Sequence, residues 1–150
     1  MITTEQIKEL RERTGLSLQQ IRIALEEAGG DNDKAIEILK AKGADIAQKK
    51  GDRTLGSGII ASYIHSGDSV GAMLELLCET DFVARNPEFK AAGKDIAMHI
   101  AAMNPEDVGS LLEQPFIKGS GGSVGEVVNG LVQKFGERTE VGKFVRFSLN

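Results

Sequence analysis

The sequence predicts an α+β protein, with three short helices followed by a three-stranded antiparallel sheet backed by further helices. Three observations carry this. Up to Gly43, apolar residues recur at helical spacing between capping signals. From Ile59 the apolar period drops to two. A Ser66-Gly67-Asp68-Ser69 turn then separates two alternating runs, as a hairpin requires.

The N-terminal elements follow from their caps. Thr3 and Gln6 form a capping box ahead of Ile7 and Leu10, and Thr14-Gly15-Leu16 breaks that helix. Ser17 with Gln20 caps a second helix, whose Ile21, Ala24, Leu25 and Ala28 share a face. Gly29-Gly30 ends it and Asp31 caps a third, with Ala35, Ile36 and Leu39 turned inward and Gly43 as the predicted stop. A bundle of roughly 40 residues lies near the lower limit for an independent fold. Its Thr-Gly-Leu and Gly-Gly-Asp turns resemble those of the ubiquitin-associated type of three-helix domain. Residues 44–58 lose periodicity and collect Lys49, Lys50, Gly51, Asp52 and Gly56, which reads as a linker with helical tendency at its start. The expected division is a three-helix domain over 1–43, a linker over 44–58 and an α+β core over 59–150.

In the core, Ile60, Ser62 and Ile64 alternate with Ile59, Ala61, Tyr63 and His65. The return strand, from Val70 to Glu79, puts Val70, Ala72, Leu74, Leu76 and Cys78 on one face. Asn86-Pro87 opens a helix with Phe89, Ala92, Ile96 and Ile100 as its stripe, and Asn104-Pro105 closes it. Glu106 to Phe116 is weakly patterned. Ser123 with Glu126 caps a last helix carrying Val127, Val128, Leu131 and Phe135, and Val141 to Leu149 alternates as a closing strand.

Composition excludes several function classes. Apolar residues at 41% and charged residues at 27% are the balance of a globular protein. Residues 1–50 hold nine basic and nine acidic side chains, and 51–150 hold nine and thirteen, so there is no basic arm to neutralise phosphates and no direct nucleic-acid partner is expected. The single cysteine excludes an internal disulfide and fits a reducing compartment. The polar Met1-Ile2-Thr3-Thr4-Glu5 start is not a signal peptide, and no apolar run reaches membrane-spanning length. A soluble, cytoplasmic protein without a membrane partner is expected. The glycine loop Gly119-Ser120-Gly121-Gly122 lacks the Gly-Lys-Ser/Thr ending of a phosphate cradle. His65 and His99 sit in different elements without metal-ligand spacing. Cys78, on the apolar side of its strand and uncoupled to a base, reads as a buried structural thiol before it reads as a nucleophile. No catalytic constellation, cofactor or metal is expected.

The most informative stretch is Cys78-Glu79-Thr80-Asp81-Phe82-Val83-Ala84-Arg85-Asn86. An apolar strand ends there in an acid and a phenyl ring, just before a helix opens. Pattern alone leaves two readings: a turn acid with a core phenyl, the commoner arrangement, or an exposed prong that acts on another protein. Phe82 and Val83 interrupt the change from strand to helix, where both reach core only if it lies on one side of them, and this favours the prong.

Thr80-Asp81-Phe82-Val83-Ala84-Arg85 closely resembles the signature loop of the bacterial elongation factor Ts family. Leu10-Arg11-Glu12-Arg13-Thr14-Gly15, with Ala24-Leu25 and Gly29-Gly30-Asp31, resembles that family's N-terminal domain. Asp95-Ile96-Ala97-Met98-His99-Ile100-Ala101-Ala102 and the tail from Gln114-Pro115-Phe116 to Phe147 resemble later parts of its core. The resemblance implies a non-catalytic guanine-nucleotide exchange factor for GDP-bound elongation factor Tu. It implies that Thr80, Asp81, Phe82 and Val83 form the loop that dislodges Mg²⁺, with Asp81 and Phe82 wedged beside helices of the Tu nucleotide domain. It also implies that Arg11, Leu18 and Gln19 dock on that domain, although Arg11 also reads as a solvated helix charge and Leu18 as a first-turn staple. His65, in Tyr63-Ile64-His65-Ser66-Gly67, resembles a contact from the second core half of longer members. Gly71 reads either as a site of close backbone approach or as relief of strand crowding. Long members carry two related core halves and a helical hairpin. This chain has one core, so pairing of two chains through the sheet, and a 2:2 complex with Tu, are expected. Two other readings stand beside this one, an adaptor acting through its three-helix domain and a small thiol enzyme using Cys78.

Overall fold

The computed structural model describes residues 1–119 and 122–150; Ser120 and Gly121 of the glycine loop lie outside the described residues. In chain order the elements are α1 (Thr4–Thr14), α2 (Leu18–Glu27), α3 (Asn32–Lys49), β1 (Ser57–Ile64), β2 (Val70–Cys78), α4 (Asp81–Ala84), α5 (Pro87–Met103), α6 (Val108–Glu113), α7 (Val124–Phe135) and β3 (Glu140–Ser148). The mixed helix and sheet architecture, with a three-stranded antiparallel sheet, is the predicted fold class.

The predicted caps of α1 and α2 are both present as reciprocal boxes, Thr3 with Gln6 and Ser17 with Gln20. Gly15 adopts the left-handed conformation, φ 69°, and its N–H returns to the Arg11 carbonyl at 2.7 Å. Leu10, Leu16, Ile21, Leu25, Ala35 and Leu39 close a small core among the three helices.

Gly43 does not stop α3, which runs on to Lys49 through the first part of the predicted linker. Glycine costs a helix interior only about 1 kcal/mol, and here its small size has a use. Gly43 is buried against α7, where an added Cβ would come 2.9 Å from Gln133 Oε1 and 3.6 Å from the Asn129 carbonyl oxygen. The glycine is a contact point between helices rather than a terminator.

The strand order is β1-β2-β3, with β2 central and both pairings antiparallel. Ala61, Ala72, Leu74, Leu76, Cys78 and Val141 face Phe89, Ile96 and Ile100 of α5, together with Leu111, Val124 and Leu131. Phe89 meets Phe135 edge-on, with ring centroids 5.9 Å apart. Gly93 lets α5 lie close to β1, since a Cβ there would approach Ile59 Cδ1 at 2.9 Å. The other face of the sheet is apolar and open, with Ile60, Ile64, Met73, Val145 and Phe147 exposed.

The weakly patterned Glu106–Phe116 segment contains α6, too short for periodicity to reveal and anchored by the buried Leu111. His99, wholly buried, fixes the chain after it. Its Nδ1 accepts from the Ile117 N–H at 3.2 Å, its Nε2 lies 2.8 Å from Gln114 Oε1, and its ring stacks on Phe116. Among the described residues no group of acids, cysteine and histidines is placed to hold a metal, and no helix is long and apolar enough to cross a membrane.

At α7 the Ser123 hydroxyl accepts the Glu126 N–H at 3.1 Å, and the Ser123 N–H donates to Glu126 Oε1 at 3.2 Å. That donation, and next the nearby Lys40 ammonium, hold the Glu126 carboxyl below its ordinary value. A lowered folded-state value gives stability that is present above the ordinary glutamate range and lost as pH falls through it. Ser123→Ala is expected to cost about 1 kcal/mol at pH 7 in urea unfolding. That cost should change little with pH, since the backbone N–H at position 123 still reaches Glu126, whereas the cost of Glu126→Gln should shrink as pH falls through the carboxylate range.

Candidate partner-binding site

The site grows from the end of β2. The ladder with β3 closes at the Leu77–Glu140 pair, and the chain beyond Cys78 leaves the sheet. Thr80 is the N-cap of the four-residue helix α4, its hydroxyl accepting from the Val83 N–H at 3.4 Å. Successive residues of a helical turn are splayed by about 100°, so a residue and the two that follow it can face different ways. Val83 and Ala84 enter the core, whereas Phe82 projects outward and is 85% exposed. The core-phenyl reading is excluded, and Val83 is an anchor rather than a surface group. An unburied phenyl ring on an anchored turn gives up apolar burial that a core position would supply, about 25 cal/mol per Å².

Asp81 lies beside the ring at the helix start. Its Oδ1 accepts from the Ser57 hydroxyl at 2.6 Å, which ties the turn to the first residue of β1. Beneath it, Glu137 Oε1 accepts from the backbone N–H groups of Glu79 and Thr80 at 3.1 and 3.0 Å. Glu137 Oε2 accepts from the Thr80 hydroxyl at 2.6 Å. Glu79 reaches back: its Oε2 accepts the Arg138 N–H at 2.6 Å, and Oε1 lies 3.5 Å from Arg53 Nη1. Sequence reading missed Ser57, Glu137 and Arg138. Only Glu137's place just after the Gly136 cap marks it locally.

Cys78 takes part as structure. It is fully buried, and its Sγ donates to the Thr80 carbonyl at 3.3 Å. Burial pushes its thiol up, and the Glu137 carboxylate adds to the effect. Such a thiol is a poor nucleophile at neutral pH. We expect a thiol reagent at pH 8 to label the folded chain far more slowly than the chain in urea. Equal rates would show that Cys78 is open to solvent.

The other predicted contacts fall in two places. Arg11, Leu18 and Gln19 are exposed and flank the turn between α1 and α2, with Leu18 the first residue of α2. That turn abuts the core: a Cβ on Gly15 would come 2.8 Å from Lys134 Nζ, which pairs with Glu88. His65 is exposed at the hairpin, its Nδ1 3.1 Å from Tyr63 Oη. Gly71 pairs with Ile64 on one side and Phe147 on the other. A Cβ on Gly71 would meet Ile64 Cδ1 at 2.6 Å, so within this chain the glycine relieves strand crowding. His65 and Gly71 lie at the opposite end of nine-residue β2 from Thr80, with about 23 Å of strand between Gly71 and Cys78. The structure does not bring them to the prong.

The sequence model of the family described as Elongation factor TS matches residues 32–110 and 79–150. A relative from Thermodesulfovibrio yellowstonii, named elongation factor Ts, is 42% identical over 192 residues, covering 99% of this chain and 96% of that protein. The protein so named in Desulforamulus reducens is 38% identical, with 99% and 89% covered. The chain belongs to the elongation factor Ts family. It is thereby a translation elongation factor. A further elongation factor Ts, from Clostridium acetobutylicum, is 40% identical over 99% of this chain but 48% of its own length. This chain spans about half the length of that relative. The alignments with the first two are also longer than its 150 residues, so those proteins carry insertions that it lacks. In this chain the loop from Thr80 to Arg85 is an ordered turn carrying an outward phenyl ring.

Proposed function

We propose that this chain is the guanine-nucleotide exchange factor of elongation factor Tu, acting in the cytoplasm on GDP-bound Tu without bond chemistry or cofactor of its own. The observation that carries this is Phe82, almost wholly exposed on a turn whose next two residues are buried. Asp81 and Phe82 wedge beside helices of the Tu nucleotide domain and shift the groups that hold Mg²⁺ and the phosphates. Removing the cation from the phosphates strips their largest local neutralising charge, and GDP leaves. Thr80 and Val83 serve this by capping and anchoring the turn.

Residues 1–43 with the rest of α3 to Lys49 form the docking domain, 50–56 the connection, and the chain from β1 onward the core. Arg11, Leu18 and Gln19 face Tu from the α1–α2 turn, their exposure being what such a contact needs. His65 and Gly71 belong to a second contact at the hairpin end. Since that end is remote from Phe82, it faces either another part of Tu or a second Tu molecule in a 2:2 complex. The chain pairs as a homodimer through the outer face of its sheet, a reading supported by the apolar row of Ile60, Ile64, Met73 and Phe147. A thiol enzyme is the weaker reading, because Cys78 is buried with its thiol pushed up.

Linkage supplies a test. If the chain weakens GDP binding to Tu by some factor, GDP weakens the chain's binding by the same factor. Titrating the chain into nucleotide-free Tu and into Tu with saturating GDP should give affinities differing by that factor. Equal affinities would exclude exchange by this route.

A further inference from the structure

We propose that Glu137 is the positioning residue of the exchange loop, holding the Thr80–Val83 turn so that Phe82 meets Tu in one orientation. The proposal rests on the exchange reading above. Where β2 leaves the ladder with β3, the backbone N–H groups of Glu79 and Thr80 lose their strand partner. The Glu137 carboxylate replaces it, with Oε1 accepting both N–H groups and Oε2 accepting the Thr80 hydroxyl. Hydrogen bonds to an ionised carboxylate are the stronger kind. On its other side Thr80 is held by the Cys78 thiol at its carbonyl, and its hydroxyl caps Val83. Two residues on from Thr80, Phe82 is 85% exposed and belongs to neither core cluster, so its direction is inherited from the cap and from the buried Val83 beside it.

Glu137 is itself fixed. It follows Gly136, the left-handed cap of α7 (φ 73°), whose N–H returns to the Val132 carbonyl at 2.8 Å. Arg138, next in sequence, donates its N–H to Glu79 Oε2, and its Nη1 donates to the Arg53 carbonyl at 2.6 Å. Helix α7 also packs on α3 at Gly43 and pairs Glu126 with Lys40 at 3.4 Å. The helix that meets the three-helix unit therefore ends two residues before the one that holds the prong. Reach rather than charge is what the geometry demands of position 137. Glutamine keeps an oxygen for both N–H groups and turns the Thr80 contact round, its amide donating to the hydroxyl oxygen, whereas aspartate withdraws the carboxylate by one methylene.

The test compares Glu137→Gln, Glu137→Asp, Glu137→Ala and Phe82→Ala by release of a fluorescent GDP analogue from Tu at rising factor concentration. Glu137→Ala and Glu137→Asp are expected to lower the maximal release rate by about tenfold or more, as misplacement of a working group does. The half-saturating concentration should stay within about twofold, because docking lies elsewhere, and Glu137→Gln should restore most of the rate. Adding Phe82→Ala to Glu137→Ala should cost nothing beyond Phe82→Ala alone. Amide exchange at Glu79 and Thr80 should quicken in the Ala and Asp variants only. If Glu137→Ala does not fold, the Asp and Gln variants carry the comparison. An unchanged maximal rate in the Asp variant, with Phe82→Ala inactive, would overturn the role of Glu137 and leave the exchange reading intact. Full activity in Phe82→Ala would overturn both.

Discussion

Phe82→Ala is expected to return GDP release from Tu to its spontaneous rate while leaving the fold untouched. The ring is 85% exposed and belongs to neither core cluster, so its loss should change stability by no more than about 0.5 kcal/mol. At an interface, an aromatic anchor commonly contributes 2 kcal/mol or more, about 30-fold in a rate or equilibrium if it acts only in the exchange step. Leu18→Ala, on the docking turn, should behave differently and raise the half-saturating concentration with the maximal rate preserved. Saturation kinetics with a thermal melt on each variant separates the two. Should Phe82→Ala keep the maximal rate and lose only affinity, the ring is a docking group and not the prong.

Phe147→Asp is expected to convert a dimer into monomers. Ile64 and Phe147 flank Gly71 in register, and both are large, exposed side chains on the outer sheet face, with Ile64 folded over the buried glycine. About a two-fold axis the same patch faces itself, so one substitution puts two carboxylates into a dry interface. Light scattering on wild type should give twice 16.1 kDa, and on Phe147→Asp 16.1 kDa. Phe147 has no part in the inner core, so the monomer should remain folded. A wild-type mass of 16.1 kDa at high concentration would show that the apolar face serves another partner.

Elements whose signals are local were legible. The boxes at Thr3, Ser17 and Ser123, the caps at Asp31 and Asn86, and the alternation through Leu74, Leu76 and Cys78 each stand within a few residues of what they determine. Gly43 misled because a glycine at a helix end and one at a helix crossing look alike until the crossing helix is in place. Phe82 was ambiguous for a similar reason, since a phenyl ring is core or prong according to where a single helical turn points it. Glu137 was invisible. Its bond to Thr80 spans 57 positions, and an isolated glutamate after a helix cap carries no pattern. The loop's identity was therefore readable from its motif, but its support was not.

Whether this chain drives GDP from Tu is read from stopped-flow release of a fluorescent GDP analogue as wild-type chain is added. The release rate should rise and then saturate with chain concentration. Formation of a stable complex with Tu at the spontaneous release rate would contradict exchange by this chain.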